Sequence, residues 1–467
     1  MSITTNFPLS EKSVEEFVRI LLPTEVGKDI KGEAIYKENK IILKVEIDGK
    51  EASMEEENLE SIIEDQKVIM LKGTLLKAFD KHYPWGSLIG VRPTKMTRRF
   101  LQMGFSRERV VKLLSNMYLA SLEKIELLMR VIETEEKLLN KEAMNMYIGI
   151  PFCPSKCRYC SFASYEINSS LGRFYPKFVE TLLEEIELVG ELSKERGFIY
   201  ESLYIGGGTP SVLTEEDTEK VLAAVHKYID LSNLKEFTFE AGREDAITRE
   251  KLEILKKYGV DRVSLNPQTF KEETLKSLNR TFNRKHFDEV YRDIKEIGFI
   301  LNMDLILGLP GESVEDILNT LEELKKYEID NLTIHSLAKK KGSPLYHVDF
   351  EQSEVERVIV EGAIKKLVKE KGMQPYYMYR QKNSLDWGEN VGYSTLGNES
   401  RFNIEMIEEN QQTMGLGGGA ISKAIHKETE YIDQIERLVN PKDPALYIAE
   451  MKLRHDKKIK LFSKEIV

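Results

Sequence analysis

The central part of the chain alternates short apolar runs rich in β-branched residues with longer stretches in which apolar residues recur every three or four positions. The short runs predict strands, and the longer period predicts amphipathic helices. Alternation of the two is typical of a parallel sheet, so residues 141–350 are predicted to form a partial (β/α)6 TIM-like barrel. The six predicted strands are Met146–Ile150, Ser202–Ile205, Glu236–Phe239, Arg262–Leu265, Ile300–Ile306 and Asn331–Ser336. The predicted helices between them are Phe174–Leu192, Glu215–Tyr228, Arg249–Lys257, His286–Ile297 and Val314–Lys326.

The segment before this core, residues 1–140, has a different pattern. A pair of strands is indicated around Glu33–Ile47, and helical spacing of apolar residues follows in Glu108–Asn116 and Leu122–Leu139. We interpret this segment as a separate α+β accessory domain. The length of 467 residues agrees with two or three domains.

The segment after the core, residues 351–467, contains a predicted helix near Val355–Lys369, a tyrosine-rich stretch and the glycine-rich run Gly415–Gly419. We interpret it as a C-terminal extension that covers a substrate.

Composition and charge indicate a folded globular protein and disfavour a nucleic-acid partner. Hydrophobic residues make up 41% of the chain and charged residues 31%, which is typical of folded globular proteins. The 68 basic and 78 acidic side chains give a formal charge of −10, which disfavours a nucleic-acid partner. Residues 1–14 lack the pattern of a signal peptide, and no window approaches 18 uninterrupted apolar residues. We therefore expect a cytoplasmic protein without a membrane span.

All three cysteines lie in one short window, Cys153-Pro-Ser-Lys-Cys157-Arg-Tyr-Cys160, directly after the first predicted strand. Such a window suits metal ligation better than disulfide bonds. Three soft thiolates suit an iron–sulfur cluster or zinc. A closed zinc site needs four ligands, and a distant histidine would have to complete it because no other cysteine exists. Buried structural cysteines are a further alternative, but they explain the spacing less well.

Three ligands to four irons leave one iron open, as the chemistry of radical S-adenosylmethionine (SAM) enzymes requires. The C-x3-C-x2-C spacing after Tyr147-Ile-Gly-Ile-Pro-Phe resembles the opening motif of the radical SAM superfamily, in particular its oxygen-independent coproporphyrinogen III oxidase branch. The resemblance implies that Cys153, Cys157 and Cys160 are the catalytic and metal-binding residues of a [4Fe-4S] cluster. In that family, an electron from the cluster cleaves bound SAM to a 5′-deoxyadenosyl radical.

Further segments resemble the same family. The run Ile205-Gly-Gly-Gly-Thr-Pro closes the second strand, where glycines let backbone amides approach a ligand, and it resembles the loop that holds the amino group of SAM. Glu240 resembles the carboxylate that meets SAM, and Asp304 resembles the aspartate that faces adenosine. The SAM-binding residues that the resemblance implies are Tyr147, Tyr159, Gly207, Gly208, Thr209, Glu240, Gln268, Arg280 and Asp304.

The whole chain resembles the HemZ-type coproporphyrinogen dehydrogenases more closely still. The segments Gly90–Lys95 and Tyr376–Gln381 carry this resemblance outside the barrel. Two positions depart from the pattern of characterised oxidases: Phe162 stands where they have a fourth cysteine, and Gly149 where they have a histidine. The C-x3-C-x2-C-x-Phe form is similar to that of haem-chaperone relatives.

These resemblances imply a radical SAM enzyme of anaerobic tetrapyrrole metabolism. The expected reaction is oxidative decarboxylation of the propionates of coproporphyrinogen III, with ferredoxin or flavodoxin as the electron donor. The alternatives are a haem-binding chaperone, a radical SAM methyltransferase that modifies haem, and a structural zinc protein. The substrate is therefore expected to be a tetrapyrrole, either coproporphyrinogen III or haem.

Two segments supply candidate cations for the carboxylates of such a substrate. One is the basic stretch with Arg92, Lys95, Arg98 and Arg99, which follows His82-Tyr-Pro-Trp85, and the other is Arg380 after the tyrosines. Aromatic and cationic side chains together can hold a flat ring with carboxylate arms. A solvated basic helix and a half-buried strand are the simpler interpretations.

Overall fold

The computed structural model describes residues 2–89, 92–162, 164–338, 345, 354–381, 388–427 and 433–463. Gly90 and Val91, the first two residues of the Gly90–Lys95 segment, lie outside the described residues. The chain forms two compact units. The first comprises Met1–Ile132 with Arg380–Lys382, and the second comprises Glu133–Tyr379 with Asn383–Val467.

The first unit contains a four-stranded sheet in the order β1-β2-β3-β4, in which β1 is parallel to β2 and the other pairs are antiparallel. The turn Asp48-Gly49 has positive φ at both residues, as tight hairpin turns require. Alternate residues of β3 are buried. The strands are β1 (Ile3–Thr5), β2 (Ile30–Lys37), β3 (Lys40–Ile47) and β4 (Lys50–Glu57). The helices are α1 (Glu11–Leu21), α2 (Gln66–Ala78), α3 (Pro93–Gln102), α4 (Arg107–Asn116) and α5 (Leu122–Glu135).

The second unit is built on six adjacent parallel strands, which confirms the predicted order of the barrel strands. Each strand is followed by an amphipathic or short helix on the outside, and the apolar side chains of strands and helices form one large core. The parallel strands are β5 (Met144–Ile150), β8 (Tyr200–Gly207), β9 (Glu236–Gly242), β10 (Arg262–Leu265), β11 (Ile300–Leu307) and β12 (Asn331–Ser336). The helices between them are α6 (Tyr175–Arg196), α7 (Glu215–Tyr228), α8 (Arg249–Lys257), α9 (Glu272–Ser277), α10 (Arg284–Ile297) and α11 (Val314–Leu324).

The segment after residue 350 adds strands to both edges of this sheet. β14 pairs antiparallel with β12, and β15 pairs in parallel with β5. The strands are β13 (Gln374–Arg380), β14 (Glu389–Ser394), β15 (Gln412–Gly417), β16 (Ile421–Lys427) and β17 (Asp433–Val439), and the helices are α12 (Glu354–Glu370), α13 (Arg401–Glu408) and α14 (Pro444–Leu461). The tyrosine-rich stretch is therefore a strand, and the glycine-rich run begins within β15.

A buried ion pair fixes the last helix to the first barrel helix. Glu185 of α6 and Lys458 of α14 are both 0% exposed and form a salt bridge. The carboxylate also accepts hydrogen bonds from Tyr447 Oη (2.7 Å), Asn440 Nδ2 (3.0 Å) and the backbone N–H of Gly417 (2.7 Å). Because buried charge is stable only with partners of this kind, the network attaches β15 and α14 firmly to the barrel.

None of the helices in the described part of the chain combines the length and the apolar character needed to span a membrane.

Candidate active site

The cysteine loop follows β5 and begins with the two-residue strand β6 (Phe152–Cys153), which pairs with β7 (Tyr165–Glu166). Hydrogen bonds from Tyr165 N to Pro151 O and from Ile167 N to Cys153 O, both 2.9 Å, close the loop at its base. Cys153 and Cys157 are buried, and Cys160 is half-buried. The sequence therefore places three thiols on one closed loop at the carboxyl end of the first barrel strand.

Polar groups from neighbouring strands contact two of the thiols. Thr209 Oγ1 donates a hydrogen bond to Cys153 Sγ at 3.3 Å, and the buried guanidinium of Arg243 lies 3.7 Å from Cys157 Sγ. Burial raises the pKa of Cys153 to about 11 and also raises the pKa of Cys160. A metal that binds the thiolates removes this cost of ionisation, because it stabilises the deprotonated form.

The glycine run after β8 packs directly on the cysteine loop. A Cβ at Gly208 would lie 2.5 Å from Phe152 O and 2.9 Å from Cys153 Sγ, and a Cβ at Gly206 would lie 2.7 Å from Glu240 Oε2. The amide of Gly208 donates to Ile150 O and that of Thr209 donates to Phe152 O, both at 2.8 Å. These two amides donate within the protein, so they do not approach a ligand as expected, and the carbonyl oxygens of the segment are left as candidate ligand contacts. Carbonyl oxygens suit an ammonium group.

Two carboxylates face the barrel interior without an Arg or Lys partner among the described residues. Glu240 lies two residues before the end of β9. Its pKa is raised to about 8 by burial and by the charge of Asp304, although hydrogen bonds from Gly207 N–H and Tyr204 act in the opposite direction. Asp304 accepts a hydrogen bond from Asn302 Nδ2 at 2.9 Å and lies 3.8 Å from His335 Nε2. The pair is electrostatically suited to a cationic ligand.

A second group of candidate residues lies on the loop after β10. Gln268 has a positive φ of 65° and is held there by backbone hydrogen bonds to Asp304 and Ile306 of β11, both 3.0 Å. The guanidinium of Arg280 donates to Tyr159 Oη at 3.1 Å and to the carbonyl oxygen of Asn266. Among the described residues, Gln268 Oε1, Asn266 Oδ1 and Arg280 Nε are buried without hydrogen-bond partners. Unpartnered buried polar atoms are costly, so they favour a site that a polar ligand completes.

The structure thus brings together residues that the sequence resemblance implied for a [4Fe-4S] cluster and SAM. No three His, Cys, Asp or Glu side chains in the described residues are placed to hold one metal ion. A [4Fe-4S] cluster does not require such convergence, because each thiolate binds a different iron. The three thiols fit the cluster, and the carboxylates, carbonyls and unpartnered amides fit a ligand that carries ammonium and carboxylate groups.

Sequence reasoning identified Tyr147 but missed the other rings of an aromatic wall beside the carboxylates. The ring of Tyr204 stacks on Phe402 of α13 with centroids 4.5 Å apart, and the ring of Tyr147 lies 6.0 Å from Tyr204. Further along the sheet, Tyr379 Oη and His335 Nδ1 are 3.3 Å apart. His335 lies near the end of β12, and this position is the sequence signal that could have indicated it. Tyr204 lies in the middle of β8, and Phe402 comes from a distant helix.

Gly149 has no room for a side chain. Its Cβ would lie 2.5 Å from Gly418 O, and a Cβ at Gly417, where φ is 79°, would lie 2.2 Å from Gly149 O. Gly418 N–H donates to Gly149 O at 2.9 Å. The glycine-rich run after β15 therefore occupies the space that a histidine at position 149 would need.

The candidate substrate cations lie in the first unit, which includes Arg380. The guanidinium of Arg380 lies 5.2 Å from the ring centroid of Trp85 and donates to the carbonyl oxygen of Leu88. Arg98 is buried, whereas Arg99 is exposed. Arg380 thus has structural partners of its own, and the basic stretch is not a uniformly solvated helix face.

Comparison with known proteins supports the sequence resemblance. The sequence model of the radical SAM superfamily matches residues 147–324. The oxygen-independent coproporphyrinogen-III oxidase-like protein HemZ of Bacillus subtilis is 40% identical over 386 residues, which cover 80% of this chain and 76% of the relative. The haem chaperone HemW of Lactococcus lactis is 31% identical over 276 residues, which cover 59% of this chain and 68% of the relative.

Among solved structures, coproporphyrinogen III oxidase (HemN) of Escherichia coli, a radical SAM enzyme, has a TM-score of 0.53 and 18% sequence identity, with 69% of this chain and 73% of that chain covered. This likeness confirms the predicted fold class of the barrel.

Proposed function

Because this chain belongs to the radical SAM superfamily and to its oxygen-independent coproporphyrinogen-III-oxidase-like branch, we propose that it is a radical SAM enzyme of anaerobic tetrapyrrole metabolism. The family implies a [4Fe-4S] cluster and SAM. We assign the cluster to Cys153, Cys157 and Cys160. When both are bound and the cluster is reduced, they supply a 5′-deoxyadenosyl radical.

The observation that carries the proposal is the pairing of a three-thiol loop with two carboxylates that lack an Arg or Lys partner among the described residues. Glu240 and Asp304 offer negative charge to a sulfonium and an ammonium, and Arg280 with Gln268 offers a cation and an amide to a carboxylate. The raised pKa of Glu240 means that SAM would displace a proton from this carboxyl when it binds. Tyr147, Tyr159 and the carbonyls around Gly207, Gly208 and Thr209 complete the proposed SAM site.

The proposed substrate reaction is oxidative decarboxylation of propionate groups of coproporphyrinogen III. Each propionate that reacts loses a hydrogen atom to the 5′-deoxyadenosyl radical, and the resulting substrate radical releases carbon dioxide and gives one electron to an external one-electron acceptor, so that a vinyl group remains. The relative HemZ, which is named as an oxygen-independent coproporphyrinogen-III oxidase-like protein, supports this assignment.

A haem-binding chaperone is the second candidate, with a haem-modifying methyltransferase as a further possibility in the same branch. The observation in favour is the interlock of Gly149 with Gly418, which excludes the histidine of the characterised oxidases, together with Phe162 in place of their fourth cysteine. The relative HemW is named as a haem chaperone.

Anaerobic reconstitution followed by mass spectrometry of SAM products separates these candidates. The protein is incubated with dithionite and SAM, and with coproporphyrinogen III, haem or no added substrate. Formation of 5′-deoxyadenosine in step with loss of coproporphyrinogen III supports the oxidase. Stoichiometric haem binding without SAM consumption supports the chaperone and contradicts the oxidase, and a methylated haem product supports the methyltransferase.

The cluster assignment has its own test. The anaerobic protein is expected to contain about four irons and four sulfides per chain, and Cys153→Ala, Cys157→Ala and Cys160→Ala are each expected to abolish the cluster. Iron analysis and the visible absorbance of the cluster measure this. A single bound zinc, or full iron in two of the three variants, would contradict the assignment.

A further inference from the structure

A buried arginine contacts the cysteine loop but belongs neither to the proposed cluster ligands nor to the proposed SAM site. Arg243 directly follows β9. Its Nη1 group donates hydrogen bonds to Ser155 Oγ at 3.0 Å and to Ser155 O at 3.2 Å, and it also donates to Cys157 Sγ at 3.7 Å. One edge of the guanidinium thus contacts both the backbone and a thiol of the loop that carries the three cysteines.

The opposite edge of the guanidinium is fixed by a carboxylate. Arg243 Nε donates to Asp245 Oδ1 at 2.8 Å and Nη2 donates to Asp245 Oδ2 at 2.6 Å, which is the bidentate pairing that fixes the plane of a guanidinium. The side chain of Asp245 is 24% exposed, against 4% for that of Arg243. Solvent therefore screens the charge of the carboxylate more than the charge of the cation that faces Cys157.

The backbone that carries Arg243 is also fixed. Gly242, the last residue of β9, has a positive φ of 66°, its N–H donates to Ser264 Oγ at 3.2 Å, and its carbonyl oxygen accepts from Asn266 N–H at 3.0 Å. Arg243 N–H donates to Ala241 O at 2.7 Å. The donor that faces Cys157 is therefore preorganised, and a preorganised donor pays little reorganisation when the charge on its acceptor changes.

The two buried cysteines have donors of different charge. Cys153 accepts a hydrogen bond from the neutral hydroxyl of Thr209 at 3.3 Å. Cys157 instead faces a permanent cation, because a guanidinium is not deprotonated in proteins. Burial strengthens the influence of this charge, since the dielectric around it is low. The cysteine loop is thus electrostatically asymmetric, with the charged donor at Cys157.

We propose that Arg243 is a positioning residue that, through Cys157, favours the reduced form of the cluster, and that Asp245 limits this effect. The inference rests on the proposed function, in which a [4Fe-4S] cluster binds the three cysteines. Reduction adds one electron, and hence one negative charge, to the cluster and breaks no bond. A buried cation that donates to a ligand sulfur stabilises the reduced form more than the oxidised form, and the reduction potential rises.

The test is a reductive titration of the reconstituted full chain without SAM, with dithionite as the electron source and redox mediators, followed by electron paramagnetic resonance. Arg243→Gln removes the cation, so the ratio of reduced to oxidised cluster at a fixed potential is expected to fall about tenfold, which corresponds to about 59 mV for a one-electron couple. Asp245→Asn removes the opposing carboxylate, so the midpoint potential is expected to rise. Arg243→Lys keeps the charge without the bidentate geometry and should recover part of the shift.

Two control variants separate the charge of Arg243 from loop anchoring and from net charge. Ser155→Ala removes one acceptor of Arg243 without a change in charge. Arg249→Gln removes an arginine six residues further along, which pairs with Asp293 (2.7 Å) and Glu296 (2.9 Å) of α10. Both controls should keep the wild-type midpoint potential, and iron analysis and melting temperatures check that all variants fold and hold the cluster.

Opposite shifts of the midpoint potential in Arg243→Gln and Asp245→Asn, with partial recovery in Arg243→Lys, support the inference. A purely structural role would instead loosen the loop in both variants and shift both potentials in the same direction, which overturns it. A shift in Ser155→Ala or Arg249→Gln as large as that in Arg243→Gln also overturns it.

If Arg243→Gln does not retain the cluster, the sign of the shift in Asp245→Asn decides: a rise supports the inference, and no rise overturns it. The proposed function fails in a distinguishable way. Wild-type protein without a cluster after reconstitution would overturn the proposed function and the inference together, whereas a wild-type cluster whose potential is unchanged by Arg243→Gln overturns the inference alone.

Discussion

Carboxylates at the two ends of the parallel strands have opposite surroundings. Where β9 begins, Glu236 accepts a hydrogen bond from Ser400 Oγ (2.7 Å) and two more from the backbone N–H groups of Arg401 and Phe402 at the start of α13. Arg262 Nε lies 3.7 Å from the Glu236 carboxylate. Where β9 ends, Glu240 has no Arg or Lys partner among the described residues. The two residues lie four apart on one strand, so their side chains face the same side of the sheet.

The same contrast holds on the neighbouring strand β8. Burial acts to raise the pKa of Glu201, but hydrogen bonds from Lys235 and Gln411 and the charge of Arg401 outweigh it, so the net shift is downward. At the other end of the barrel, burial and the charge of Asp304 leave the pKa of Glu240 raised to about 8. A partnered carboxylate stabilises the fold, whereas an unpartnered one costs stability and is kept for a ligand.

The largest expected effect concerns Glu236, the carboxylate at the start of β9. Glu236→Gln would leave the buried charge of Arg262 without its partner, so we expect the apo-protein to lose about 3–5 kcal/mol of unfolding free energy. Glu240→Gln, on the same strand, should leave this free energy unchanged or raise it. Urea unfolding at pH 7 measures both. A larger loss in Glu240→Gln than in Glu236→Gln would reverse the comparison.

The next largest effect concerns SAM binding by Glu240 and Asp304. Glu240→Ala and Asp304→Ala each remove a charge-assisted hydrogen bond of roughly 1.5–3 kcal/mol, which corresponds to about ten- to a hundred-fold in SAM affinity. Iron content should stay near that of the wild type because neither residue touches the thiols. Equilibrium binding of SAM to the reconstituted protein provides the measurement. Unchanged affinity in both variants would show that these carboxylates do not bind SAM.

The smallest effect is the pH dependence of SAM binding. A cationic ligand favours ionised Glu240, so binding releases a proton, and affinity should fall by up to about tenfold per pH unit below pH 8 and level off above it. Glu240→Gln should flatten this slope, and calorimetry in buffers of different ionisation enthalpy should detect the released proton. An unchanged slope in the variant would assign the dependence to another group.

The stability of the folded apo-protein depends on pH in the opposite direction to the affinity for SAM. Since the folded-state pKa of Glu240 is raised above its usual 4.5, its contribution to stability is fully present below about pH 4.5 and is lost as the pH rises through 8.

The barrel could be predicted from sequence because its strands are buried and their apolar runs are continuous. The bounds of β10, β12, α7 and α8 agree with the prediction. The pairing of β15 with β5 could not be predicted, since its sequence, Gln-Thr-Met-Gly-Leu-Gly, is too rich in glycine to show a strand period, and no local pattern specifies a partner so distant in the chain.

The residues of the candidate site could be predicted from sequence where they occupy recognisable positions on or directly after a predicted strand. The cysteines and Glu240 lie at or near strand ends, Asp304 lies within β11, and the family motifs include all of them. Contacts between distant segments were not predictable: Arg243 meets Cys157 and Phe402 stacks on Tyr204 only because the fold brings them together. The expectation that the amides of Gly208 and Thr209 approach a ligand was wrong, because both donate to carbonyl oxygens of the cysteine loop and the strand before it.

The pairing of β15 with β5 has a consequence during synthesis. Gln412, which pairs with Met144, is added 268 residues later, on the order of tens of seconds at ribosomal speeds. Throughout that interval, one edge of the strand that leads into the cysteine loop has no neighbour. The cysteine loop is therefore synthesised long before the strand that completes the sheet beside it.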